Sequence, residues 1–465
     1  MTACILATGC VSETTNRSGS SANIAAVPTA TATVLPTPVS EKTSDTKTLT
    51  LPVLDAFFAN ESFSGALKTR LHLTDDQIAK LREAAHSATT KLSEASAGTS
   101  SGETSAARTS AREKITAIIG DEKARQLEAL VAEQWNGDNE GGADKTASSD
   151  KPASAPVSSD ANAHNNVPSD SRVVVNAPAY RMDVFEAGRL IKSYKIGIGY
   201  PQFPLPTGLR KARTIIFNPT WTPPDEPWVA KMKDVSVGEK VEAGSRLNPL
   251  GPIKIPIGGP SLIHGGKSPA KLGGFASHGC VGLTTPQVQG FAKILAQLGG
   301  AHLTDTDIAN YARDKTQTRQ VKLANAIPVE LRYETILVED GKLHIYRDVY
   351  DQETNTEENL RVVLDANGLR FDDLTEEERA QILDALAQMS GSSTVQTTPS
   401  PRGTPITKNV ANASPSPSEK KSSKTPPRAG KNQKEIVIEI AELKGKGYPA
   451  PEDLDVGTGK KKPRS

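Results

Sequence analysis

The sequence predicts a mainly β body with flanking small α-helical segments and disordered linkers. Three observations carry this expectation. Short β-prone runs divided by turn residues fill the middle of the chain, amphipathic stretches opened by threonine caps lie on either side, and Ser/Thr/Ala/Pro-rich tracts run between them. Such tracts bury too little apolar surface to offset chain entropy. Composition limits the folded mass further: 465 residues would by length suggest about three domains, but aromatics are only 4% and apolar residues 36%.

The elements follow in order. Residues 1–50 read as a flexible tether, since Val11 to Thr50 holds almost no large apolar side chain. Residues 51–136 read as a helical hairpin. In Leu73-Thr74-Asp75-Asp76-Gln77, Thr74 caps and Gln77 reaches back, and Ile78, Leu81 and Ala85 recur at helical spacing. A second stretch carries Ile115, Ile118, Ile119, Leu127 and Leu130, with Gly120 as its interruption. Residues 137–171 form a polar linker containing Pro152, Pro156 and Pro168.

The β body spans 172–350. Arg172–Val175 and Met182–Phe185 read as neighbouring antiparallel strands, and Tyr194–Ile198, Thr214–Phe217, Gly251–Ile257 and Val329–Tyr333 are further strand-like runs. Helical periodicity within it shows mainly over Pro286–Leu298. Residues 351–389 form a helical extension, opened by Thr375 with Glu378 and continued by Ile382, Leu383 and Leu386. A disordered basic linker covers 390–433. Residues 434–465 are a short C-terminal segment, in which Ile436–Ile440 reads as one more strand or a docking segment.

Charge and cysteine usage narrow the function. A net charge of +1 excludes the global basic field that nucleic-acid binding needs. Late basic residues, Lys420 to Lys431 and Lys460 to Arg464, read as a solvated tail, the alternative being loose attraction to an anionic polymer or membrane. No apolar run is long enough for a spanning helix. The cysteines are Cys4, Cys10 and Cys280, which is no disulfide framework and leaves Cys280 alone in the β body.

The informative stretch is Ile263-His264-Gly265-Gly266 followed by Gly273 to Val281, with His278 and Cys280 among glycines. A free thiol has a pKa of about 8.5 and is mostly protonated at neutral pH. A nearby imidazole can take that proton or stabilise the thiolate. Backbone N–H groups around Gly279 and Cys280 are candidates for an oxyanion hole. Residue chemistry alone leaves three other readings open: an inert core cysteine, satisfied histidines, or a zinc site. The last is the poorer one, since a structural site takes four ligands.

Ser277-His278-Gly279-Cys280-Val281, preceded by Ile263-His264-Gly265, resembles the signature of the L,D-transpeptidase family with its YkuD-type catalytic domain. Leu205–Gly208, Asn218–Trp221 and Asn248–Gly251 extend the likeness, which covers roughly Arg172 to Tyr350. The resemblance implies a β-sandwich-like fold and a cysteine transpeptidase of peptidoglycan, located in the cell envelope or periplasm, with no cofactor and no metal. It implies Cys280 as nucleophile, His264 as base and His278 as a further catalytic-site residue, with Ser277, Gly279 and Gly265 binding or orienting. Its partners would be peptidoglycan stem peptides. The reaction it implies releases D-alanine from a donor tetrapeptide and passes the acyl group to an amine, giving a 3→3 cross-link or anchoring a partner. With water as acceptor the enzyme would be an L,D-carboxypeptidase.

One departure stands out. Many members carry Arg after the Cys-hydrophobic pair, whereas this chain has Gly282, so contact with a substrate carboxylate would fall to Lys254, Lys267 or Lys271. That departure motivates an alternative, a non-catalytic envelope protein that binds peptidoglycan. Trp221 and Trp228 read as sheet-packing residues, with a lid over the cleft as the other reading.

Two shorter likenesses concern the N-terminal part. The Leu-Thr-x-x-Gln opening at Leu73 is similar to small helical periplasmic stress proteins with an LTxxQ motif, which implies an envelope protein partner for the hairpin; a plain capped helix yields the same residues. Ile5–Cys10 resembles the end of a bacterial lipoprotein signal, which implies a lipid anchor at Cys10. It lacks a basic stretch and a full apolar run, so a start upstream of Met1 and a chance likeness both stay open.

Overall fold

The computed structural model describes residues 49–90, 92, 103–136, 166–224, 229, 232–390 and 433–457. The expected tether, most of both linkers, Cys4, Cys10 and Trp228 lie outside the described residues. Among the described residues, no helix is long and apolar enough to cross a membrane.

Residues 51–136 form five helices, where the sequence pattern suggests a hairpin: α1 (Leu51–Phe58), α2 (Glu61–Arg70), α3 (Asp75–Thr90), α4 (Glu103–Ile119) and α5 (Asp121–Asn136). The first two helices, α1 and α2, are too short to show a period, but each carries its own cap. Thr50 accepts from Val53 N with Pro52 in the first turn, and Asn60 accepts from Ser62 N. The Thr74–Gln77 capping box forms in both directions. Gly120, at φ +80°, separates α4 from α5. Phe57, Phe63, Leu67, Leu81, Ile115, Leu127, Leu130 and Trp135 make the core of this unit.

The β body contains β1 (Arg172–Asn176), β2 (Arg181–Glu186), β3 (Arg189–Lys195), β4 (Ile198–Gly199), β5 (Gly208–Phe217), β6 (Ile253–Pro256), β7 (Leu262–His264), β8 (Phe275–Ser277), β9 (Val281–Gly282) and β10 (Arg319–Arg332). Hydrogen bonds join eight strands into one sheet ordered β3-β2-β1-β10-β5-β6-β7-β9, with β4 and β8 as a separate pair. β1 and β2 are antiparallel neighbours, while β1–β10 and β7–β9 are parallel. Helix α6 (Thr285–Leu298) is opened by a Thr284–Gln287 capping box and lays Val288, Phe291, Ala292 and Leu295 into the sheet's core. Helix α7 (Asp305–Arg313) adds Ile308.

The boundary near Tyr350 needs correction. Strands β11 (Ile336–Glu339) and β12 (Lys342–Tyr346) do not join the large sheet; they pair with each other, and β12 pairs on its other side with β13 (Glu435–Glu439). Helices α8 (Glu357–Ala366) and α9 (Glu376–Met389) cover that small sheet, and one core joins Val338, Ile345, Leu360, Ile382, Leu386 and Ile438. The expected helical extension and C-terminal segment are therefore two parts of one α/β module. The Thr375–Glu378 box opens α9 as the pattern suggests, but Leu383 faces solvent.

Past β13 the chain returns to the large sheet. Ser193 N donates to Glu452 O and Lys195 N to Asp455 O, each at 2.9 Å, so residues 452–455 cover the outer edge of β3. A buried polar cluster secures the same joint. Arg181 lies 2.9 Å from Asp183 and 2.6 Å from Glu339 of β11, and Asp183 accepts from Ser193 and Tyr448. Removing one member of such a cluster leaves uncompensated buried charge. Arg181→Met should lower stability by about 3–5 kcal/mol in a urea titration, because Asp183 and Glu339 both lose their cation.

Candidate active site

Parallel pairing of β7 with β9 sets Ile263 against Val281 and His264 against Gly282. Ile263 and Val281 are fully buried in the core. Side chains alternate along strands, so His264 leaves the face opposite Ile263, and Gly282 presents no side chain across from it. Cys280 ends the turn that leads directly into β9.

Ser277 shapes the nucleophile's turn. Its hydroxyl donates to Cys280 O at 2.5 Å and accepts from Cys280 N at 3.0 Å. Gly279 turns the chain at φ +83°, a region costly for other residues. Of the two amides expected as oxyanion donors, that of Cys280 is engaged by the Ser277 hydroxyl. Gly265 also has a steric role, since a Cβ there would lie 2.6 Å from a Val288 methyl.

The ring of His264 is fixed by backbone. Its Nδ1 lies 2.8 Å from Gly265 O, and the Leu250 backbone is a second partner. A carbonyl only accepts, so the Gly265 contact calls for a proton on Nδ1. His278 lies elsewhere in the site: its ring meets Tyr200 and Phe203 edge-on, with centroids 5.2 and 4.8 Å apart. The Cys280 thiol points to Pro260 O at 3.9 Å and is 8% exposed.

Burial governs the electrostatics. It pushes His264 down to about 3, helped by the Lys267 charge, and His278 down by the same two causes. It raises the Cys280 thiol, while the Leu262 backbone and Lys267 pull the other way. The resting pair is therefore a neutral thiol and a neutral imidazole.

The three lysines separate. Lys271 ends an exposed 3₁₀ turn. Lys254 of β6 sits across from His264, and burial lowers its pKa. Lys267 lies over Gly282: a Cβ there would be 2.8 Å from Lys267 Cγ and 3.1 Å from its Cε. Its backbone N–H donates to Leu283 O at 3.0 Å. The space left by the missing side chain at 282 is filled by a lysine stem whose charge reaches Cys280 and both histidines. Trp221 pairs with Val241 by backbone hydrogen bonds.

Sequence reasoning missed Tyr200, Phe203 and Pro260. The Gly258-Gly259-Pro260 turn signal just before His264 was the available clue to the last. Among the described residues, no three His, Cys, Asp or Glu side chains are grouped as metal ligands.

Comparison with known proteins finds no match among curated sequences. Solved structures similar to this chain include the catalytic domain of the E. faecium L,D-transpeptidase, at 15% identity and a TM-score of 0.24, covering 36% of this chain and all of that one. An L,D-transpeptidase from Mycobacterium tuberculosis H37Rv shows 14% identity and a TM-score of 0.20, covering 35% of this chain and 57% of that one. One from Mycobacterium smegmatis shows 16% identity and a TM-score of 0.20, covering 35% and 58%. This chain thus spans somewhat over half the length of the two mycobacterial proteins. A family model described as the L,D-transpeptidase catalytic domain, YkuD, matches residues 170–315. The stretch that holds Cys280 and His264 thus lies within the residues that match the L,D-transpeptidase catalytic domain model, YkuD.

Proposed function

We propose that this protein is a cysteine L,D-transpeptidase acting on peptidoglycan stem peptides in the cell envelope. The observation that supports the reading is the β7–β9 register, which sets His264 opposite Gly282, two residues after Cys280, with the Lys267 stem over Gly282. In the first step Cys280 Sγ attacks the carbonyl carbon of the donor's third residue as His264 Nε2 takes the thiol proton. The amide C–N bond then breaks, and His264 returns the proton to the departing D-alanine amine. In the second step an acceptor amine attacks the thioester, passes its proton to His264, and the thiol is restored. A stem-peptide amine gives the 3→3 cross-link, and a protein amine anchors a partner.

Ser277 keeps the Cys280 turn closed, the Gly279 amide faces the developing oxyanion, and His278 serves as a wall of the site. Lys267 holds the donor's carboxylate in place of the arginine this chain lacks. The Gly282 departure then no longer argues for a purely binding role, because a side chain at 282 would expel Lys267.

Intact-mass spectrometry tests the reading. Incubation with a stem tetrapeptide should release D-alanine and leave an adduct on Cys280, and Cys280→Ala should lose both while keeping its circular dichroism spectrum. Product formed by the Cys280→Ala protein would refute the assignment. Dependence of product on added amine distinguishes transpeptidation from hydrolysis to a carboxypeptidase product.

The neutral resting pair has its own signature. Alkylation of Cys280 by iodoacetamide should keep rising above the ordinary thiol pKa of about 8.5, because burial raises the group. Lys267→Gln removes a cation that favours the thiolate and should slow alkylation at pH 8 by about threefold or more. A rate that levels off below pH 7 would instead indicate a thiolate–imidazolium pair.

A further inference from the structure

We propose that the five-helix unit is part of the donor cleft, with Trp135 and Gln202 as positioning residues that hold the two loops flanking Cys280. The proposal rests on Cys280 being the reactive thiol and names a role for the helices that lies inside this chain. Two separate sets of contacts carry it, one on each side of the nucleophile.

The first set runs through the turn between β6 and β7. Ile257 N donates to Ser261 O and Ser261 N to Gly258 O, each at 3.2 Å, which folds Gly258–Pro260 into a tight turn. Pro260 O is the group facing the Cys280 thiol. The outer side of this turn is pressed against the end of α5. A Cβ at Gly258 would lie 2.8 Å from Trp135 O, and one at Gly259 would lie 2.7 Å from Trp135 Cδ1 and 3.5 Å from Phe57. Both glycines have positive φ. Trp135 itself is held, 4% exposed, with the Phe57 ring edge-on at 5.0 Å and the Arg210 guanidinium 5.9 Å from its own ring. A chain of packed groups thus leads from the helical core through Trp135 to the turn and on to Cys280.

The second set runs through the loop after β4. Thr50 Oγ1 donates to Gln202 O at 2.6 Å, and Gln202 Nε2 donates to Glu103 Oε2 at 2.7 Å. Leu92 packs on Tyr200 and Phe203, the two rings that box His278. Tyr200 N donates to Ser277 O at 2.8 Å, and a Cβ at Gly199 would sit 3.2 Å from the Gly279 backbone. The cap of α1, the start of α4 and the end of α3 therefore converge on the loop that backs the Ser277–Cys280 turn.

Packing from outside raises the free energy at which such loops open locally. The helical unit supplies that packing, so it sets how far Pro260 and Tyr200 stand from the nucleophile and how a stem peptide enters. A purely architectural helical core would couple to Cys280 only through overall stability. The two roles separate experimentally.

The test uses the full-length protein and reads the Cys280 alkylation rate by intact mass, alongside stem-peptide acylation and the melting temperature. Trp135→Leu keeps apolar volume in the helical core but withdraws the ring from Gly258 and Gly259. It should speed alkylation by about tenfold at a temperature well below melting, by raising the population of the open turn, and should lower kcat for acylation. Trp135→Phe keeps a ring and should restore the wild-type rate to within about twofold. Leu127→Ala lightens the same core without touching either loop and should leave alkylation unchanged at matched distance from its own melting point. Gln202→Ala, on the loop side, should speed alkylation in the same direction and stands in if Trp135→Leu does not fold. Equal rates for Trp135→Leu and wild type, or equal acceleration in Leu127→Ala, would overturn the proposal. A protein that is alkylated as expected yet never acylated by peptide would count against the transpeptidase reading and leave the bracing intact.

Discussion

Two very short parallel strands, β7 and β9, hold His264 opposite Gly282, and a slip of one residue would send either the imidazole or the thiol into the apolar core. Ile263 and Val281 guard that register, since both fill the core with no exposure. Everything functional hangs on the pairing. The Ser277 turn aims the chain into β9, Lys267 leaves β7 bonded to Leu283, and Gly282 gives the lysine stem somewhere to lie. The strands are too short to be stable alone, so their order comes from β6 on one side and α6 beneath.

Burial gives the site its chemical character. Both the thiol and the imidazole are held uncharged by desolvation, so charge separation is deferred to the moment of attack. A cation is the natural companion for such a pair, because it favours the thiolate without protonating the base. Lys267 has that relation to Cys280 and His264 alike.

Much of this was legible in the sequence, and the parts that were not share a cause. Local signals survived well: the Thr74, Thr284 and Thr375 boxes open helices, Gly120 breaks one, and the first two strands pair as their spacing suggests. The Ser277–Cys280 motif is local too, and its turn is closed by its own side chain. Long-range placement was not legible. Nothing near Leu343 indicates that its strand pairs with β13 and not with the large sheet, and nothing near Trp135 indicates that its ring lies on Gly259. Short helices such as α1 and α2 carry too few turns to display a period, although their caps at Thr50 and Asn60 are ordinary ones. The Lys267–Gly282 pair was half visible, as an absence at one position and three lysines from which the sequence could not choose.

The C-terminal module has one further consequence. β12 and its partner β13 lie far apart along the chain, with His344 and Glu435 91 positions distant, and the edge of β3 is closed only by residues 452–455. During synthesis both sheets must wait, with open hydrogen-bonding edges, until residues 435–455 have been made. A nascent chain that has not reached them would offer two sticky strands to its neighbours and to proteases.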